Sequence, residues 1–173
     1  MKPITRRCCL GMLLATPLLA ACSHETPPAS RAALEPDRNT ACSLDGMSLA
    51  DYPGPKGQLQ YAQGAPDFFC DTIELFAVYL KPEQQRLVAA VYVQDMSQAD
   101  WEHPVGHWID ARKAFYVVGS RLKGSMGPTF ASYGSEAAAR TVAAREGGKV
   151  YRFTDITPVM AELDGGVLKD KSM

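Results

Sequence analysis

The sequence predicts an α+β fold: two similar ββαβ half-domains packed together, after an N-terminal signal and a flexible tether. Three observations predict it. The order strand, strand, helix, strand occurs twice along the chain. Strands outnumber helices, and the connections suit antiparallel hairpins rather than long crossovers. Each half alone would enclose a small core, so the two are expected to bury their apolar faces against one another.

In the first half, residues 40–96, "GQLQYAQG" and "PDFFCD" read as short strands. Asp71 is a good N-cap, and Glu74 stands three residues on, as in a capping box. Ile73, Phe76, Ala77 and Leu80 follow at helical spacing, and Pro82 is expected to end the helix. "RLVAAVYVQD" is rich in β-branched and aromatic residues and reads as the next strand. In the second half, residues 97–157, "KAFYVVGS" and "PTFASY" are predicted strands. Ser135 caps a helix through "EAAARTVAARE", Gly147-Gly148 stops it, and "KVYRFTDI" closes the unit. Residues 158–173, with Pro158, Gly165-Gly166 and a charged end, are expected to be a flexible tail.

The first 21 residues combine a basic head (Lys2, Arg6, Arg7), a short apolar run from Leu10 to Ala21 and small residues before Cys22. That is the pattern of a secretory signal, and the apolar run is too short to span a bilayer. Leu19-Ala20-Ala21-Cys22 resembles a bacterial lipobox, which would make Cys22 the lipidated first residue of the mature chain. Residues 22–39, rich in Pro, Ala and charge, read as a tether. The expected location is a periplasm-facing lipoprotein anchored in a membrane, inner or outer.

The formal net charge of −1 over 173 residues, with scattered basic residues, gives no basis for nucleic-acid binding. No nucleophile elbow, H-E-x-x-H, phosphate-binding loop or C-x-x-C is present, so no catalytic residues are assigned and no enzyme is expected. His24 lies in the tether. His103 and His107 flank Pro104 in "WEHPVGHW" and read as a polar loop clasped by Trp101 and Trp108.

Sulfur is more informative. Of five cysteines, Cys8 and Cys9 leave with the signal and Cys22 carries lipid. Cys42 and Cys70 remain, in a compartment that permits disulfides. Cys42 and Met47 are soft donors that select Cu(I) over harder ions. Gly46 between them can let the backbone turn so that both sulfurs converge. Packing in the core is the competing reading. Met126 sits in the Gly-rich "GSMGPTF" loop, where a methionine has little core to fill. Cys70, just before the helix cap, is a further ligand, a redox thiol paired with Cys42, or a buried small hydrophobe. Met96, Met160 and Met173 are assigned no role.

The segments "ACSLDGM", "FFCDTIELFAVYL", "AAVYVQDMSQADWEHPVGHWIDARKAFYVVGS", "GSMGPTFASYGSEAAA" and "GGKVYRFTDI", in that order, resemble the NosL family of copper-binding lipoproteins of the nitrous oxide reductase assembly system. The resemblance covers roughly residues 40 to 157. It implies a Cu(I) metallochaperone and no enzyme. Its ligands fall on Cys42 of C-x-x-x-G-M and Met126 of the M-G loop, with Met47 as third candidate. Many members carry C-x-x-C-G-M; here Asp45 replaces the second cysteine. The implied fold is two ββαβ half-domains, with a further likeness to the organomercurial lyase fold. The implied partners are the NosD protein of the NosDFY transporter complex and, through it, nitrous oxide reductase; a monomer is expected. The rival reading is a periplasmic thiol-disulfide protein using Cys42 and Cys70.

Overall fold

Gln58 and Gln60 are as buried as the apolar residues between and beside them, Leu59 and Tyr61. Alternation along this strand explains why: Leu59 and Tyr61 face the main core, and the glutamines face the other side of the sheet. That side is covered by residues 31–35 of the predicted tether. Gln58 Nε2 donates to Leu34 O (2.9 Å), Leu34 N donates back to Gln58 Oε1 (3.0 Å), and Gln60 Nε2 donates to Ala32 O (2.7 Å). Glu35 accepts from Gly106 N and from Trp108 Nε1 (2.6 Å). The tether is therefore docked on the sheet by its last residues. Composition concealed this because the contacts are backbone to glutamine, not apolar.

The computed structural model describes residues 31–163 apart from 82, 84 and 85. The predicted signal, Cys22, His24, Met173 and the helix-ending Pro82 lie outside the described residues.

The first sheet has four antiparallel strands: β1 (Gly57–Tyr61), β2 (Asp67–Phe69), β3 (Val88–Gln94) and β4 (Trp108–Asp110), in the order β2-β1-β3-β4. Helix α1 (Thr72–Tyr79) lies between β2 and β3 in sequence. The second sheet contains β5 (Phe115–Val118), β8 (Ala131–Tyr133) and β9 (Lys149–Arg152), in the order β8-β5-β9, with helix α2 (Glu136–Glu146) before β9. A two-stranded ribbon, β6 (Lys123–Gly124) and β7 (Gly127–Pro128), projects between β5 and β8. In both sheets a hairpin's first strand is central and pairs with the strand that follows the helix.

Several sequence expectations need correcting. β4 pairs with β3 in the first sheet, although a boundary at 96/97 assigns it to the second half. "PTFASY" is not one strand: Pro128 belongs to β7, and β8 starts at Ala131. A flexible tail from 158 does not describe Pro158–Ala161. These residues form a 3-10 turn in which Ala161 is buried and Met160 packs against the core. The caps are as read: Asp71 Oδ1 accepts from Ile73 N, and Ser135 accepts from Ala138 N. Glu74, however, completes no capping box; its carboxylate turns towards sulfur.

The two sheets meet around Phe76 of α1. Its ring sits 5.1 Å from Tyr116 of β5, 5.8 Å from Phe130 before β8 and 5.1 Å from Phe153 after β9. Ser132 Oγ of β8 also donates to Gln94 O of β3 (2.6 Å). These joints fix α1, and with it Cys70 and Glu74, against the second sheet and its ribbon.

Candidate metal centre

Cys42 lies on a reverse turn. Gly46 N donates to Cys42 O (2.9 Å), Cys42 N donates to Met47 O (2.7 Å), and Asp45 Oδ1 accepts from Met47 N. Gly46 takes φ +79°, a conformation a side chain would disfavour. The turn pairs Cys42 and Met47 through the backbone. Met47 is half-buried and packs against the main core.

The turn sets Cys42 against the start of α1. Cys42 Sγ lies 3.2 Å from Glu74 Oε2, and Cys70 Sγ lies 3.1 Å from the same oxygen. One ligand atom each from Cys42, Asp45, Cys70 and Glu74 falls within 4.8 Å of all the others. Both cysteines are free and buried, at 3% and 0% exposure. Cys70 therefore lies in the same cluster as Cys42 and is also part of the core. Glu74 was missed because its position three residues past an N-cap already had an explanation. The signal that could have found it is its place in the first turn of α1, four residues after Cys70.

The ribbon brings the third element. Ser125 and Met126 form its two-residue tip, and Ser125 Oγ lies 3.0 Å from Cys70 Sγ. Met126 is 37% exposed, so the tip adjoins the thiols and still faces solvent. The base of the ribbon is held tightly. Thr129 Oγ1 donates to Asp71 Oδ1 (2.6 Å), Trp101 Nε1 donates to Lys123 O (3.1 Å), and Thr72 Oγ1 donates to Phe130 O (2.6 Å). Asp71 Oδ2 is buried without a hydrogen-bond partner and sits directly under Gly124. Gly124→Ala would drive its Cβ into that oxygen, with Thr129 Cβ 3.0 Å away. It is expected to destabilise the fold by about 1–3 kcal/mol, the usual scale of overpacking. Urea unfolding checks this; an unchanged midpoint would mean that the ribbon is not seated on Asp71.

Lys56 is the buried cation of the region. Its ammonium donates to Tyr52 O (2.7 Å), Pro53 O (3.1 Å) and Cys70 O (3.0 Å), which pins the backbone of Cys70. Burial lowers its pKa, against the attraction of nearby acidic groups. Burial raises Asp71 to about 7 and Glu74 to about 8. The Cys70 thiol, donating towards Cys42, lowers Cys42 to about 6, helped by backbone donors such as Leu44 N. The same pairing, with burial, pushes Cys70 far up. The cluster thus favours one thiolate, on Cys42, beside a protonated Cys70 and a protonated Glu74 at neutral pH. Thiolate ultraviolet absorbance in the metal-free, reduced protein should rise through a midpoint near 6 and lose that step in Cys42→Ser. A single step near 9 would contradict this arrangement.

His103 and His107 are exposed and join no cluster of metal-ligating side chains among the described residues. Trp101 holds the ribbon, whereas Trp108 holds Glu35, so the two do not close one clasp.

The NosL family profile matches residues 33–161, a stretch that includes the Cys42 turn, α1 and the ribbon. The chain belongs to the NosL family. It is 43% identical over 122 residues to the copper-binding lipoprotein NosL of Stutzerimonas stutzeri, covering 70% of this chain and 64% of that one. It is 41% identical over 120 residues to the copper-binding lipoprotein NosL of Achromobacter cycloclastes, covering 66% and 62%. The match thus spans slightly less than two thirds of either relative. The crystal structure of the copper chaperone NosL from Shewanella denitrificans superposes with a TM-score of 0.71 at 39% identity, covering 76% of this chain and 99% of that one. Among the described residues of this NosL-family chain, no helix is long and apolar enough to cross a membrane.

Proposed function

We propose that the protein is a Cu(I) metallochaperone that delivers copper for the maturation of nitrous oxide reductase through the NosDFY complex. The observation that carries this reading is the juxtaposition of two free, buried thiols with a ribbon tip whose Ser125 touches Cys70 and whose next residue, Met126, is exposed. Thiolate and thioether donors suit Cu(I), and a half-exposed methionine leaves the site open to an incoming ligand. The names of the Stutzerimonas, Achromobacter and Shewanella relatives support copper as the cargo. Cys42 is the anchoring thiolate, Met126 the exchangeable thioether and Met47 the third sulfur candidate, with Cys70 within reach of the same ion.

The two ββαβ units, read as half-domains, serve as scaffold: one supplies the thiols, the other the ribbon. Lipid on Cys22 holds the chain at a membrane facing the periplasm, as the lipoprotein names of the relatives support.

The test is handover. The purified protein, loaded with Cu(I), is mixed with NosD, and copper in each is measured after separation. Transfer to NosD faster than release to buffer supports the proposal. Copper that leaves only at the rate of free dissociation counts against it.

The closeness of Cys42 and Cys70 favours one other reading, a thiol-disulfide protein. That reading requires a reversible disulfide and no effect of replacing Met126.

A further inference from the structure

We infer that copper has two positions in this pocket, an inner one between Cys42 and Cys70 and an outer one between Cys42 and Met126. The inference rests on the Cu(I)-chaperone reading and adds to it a second resting place for the ion.

The argument begins with Cys70. Its thiol is fully buried, its Sγ is within 4.8 Å of Cys42 Sγ, and the pair forms no disulfide. Two soft sulfurs so placed can be bridged by one ion that accepts two ligands. A transfer site that needed only Cys42 and Met126 would have no use for a second thiol on the inner side. Met126 is exposed at the ribbon tip, and its neighbour Ser125 touches Cys70. The ribbon tip therefore adjoins the inner position and also faces solvent, where the outer position would lie.

Charge separates the two positions. Cu(I) with two thiolates carries one net negative charge, whereas Cu(I) with one thiolate and a thioether is neutral. A buried negative charge needs a nearby cation. The Lys56 ammonium is itself 2% exposed at the residue level and is bonded to the carbonyl of Cys70, the residue that belongs to the inner position alone. Loading the inner position onto the Cys42 thiolate releases the Cys70 thiol proton to solvent. When copper moves outward, the Cys70–copper bond breaks, the Met126 sulfur–copper bond forms, and Cys70 Sγ takes back one proton from solvent. Copper stays Cu(I) throughout.

The experiment uses the full-length, reduced protein with Cu(I) alone, beside Cys70→Ser and Met126→Leu. Affinity is read by competition, release by stopped-flow capture with a chromogenic chelator, and ligand count by X-ray absorption. Cys70→Ser should lose about tenfold in affinity and release copper faster, with one sulfur fewer in the loaded protein. Met126→Leu should keep affinity within about threefold and release copper about tenfold more slowly, because the outward step is lost. Wild-type affinity, release and sulfur count in Cys70→Ser would overturn the inner position. So would loss of binding in Met126→Leu, a result that stands even if Cys70→Ser fails to fold. An absence of Cu(I) binding by the unaltered protein would sink the chaperone reading itself, a different outcome from either.

Discussion

Cys42→Ser is expected to lower Cu(I) affinity by on the order of a thousandfold, because it replaces the one thiolate common to every arrangement of the site with a protonated, hard oxygen donor. The fold should survive. Cys42 sits on a turn held by its own backbone, through Cys42 N to Met47 O and Gly46 N to Cys42 O. Serine is nearly isosteric, and its Oγ can take the same place 3.2 Å from Glu74 Oε2. The circular dichroism spectrum should be unchanged while equilibrium dialysis shows copper lost. Retention of copper at wild-type affinity would mean that Cys42 is an ordinary buried thiol. The remaining sulfurs could not then be organised by the turn.

Phe76→Ala is expected to cost about 3–5 kcal/mol of stability, the range for deleting a fully buried aromatic ring. The ring is 0% exposed and contacts Tyr116, Phe130 and Phe153 from the second sheet and its connections. It is the point where α1 leans on the other half of the molecule. Removing it empties space at the joint and loosens the end of α1 that positions Glu74 beside the thiols. Thermal or urea unfolding measures the loss. A change below about 1 kcal/mol would show that the sheets are held together elsewhere. In a variant that still folds, weakened copper retention would follow from the misplaced helix.

The elements carried by local pattern were legible in the sequence. Both helices have a polar N-cap directly before them, and their caps bond as the residues implied. Strands β3, β5 and β9 are where β-branched and aromatic residues cluster. What was hidden depends on long-range pairing. The strand Trp108–Asp110 is only three residues long and finds its partner across a loop that looked like the opening of the second unit. Residues 31–35 are held by two glutamines whose burial has no local signal.

At the site, Cys42 was marked by its turn and Met126 by its glycine-flanked loop. Glu74 was read as a cap because the sequence offers it backbone partners nearby; in the fold, the sulfurs of Cys42 and Cys70 take its carboxyl group instead. Asp71 and Gly124 are far apart in sequence, so their contact is invisible until the ribbon is placed.

The central claim is that Cys42 is the anchor of a sulfur site for Cu(I). A Cu(I) competition titration against a chromogenic chelator, on the reduced protein without oxygen, tests it most directly. The expected result is one tight equivalent per chain, which disappears in Cys42→Ser and weakens when both Met126 and Cys70 are replaced. Absence of a tight equivalent in the reduced protein, or an equivalent indifferent to Cys42, would contradict it.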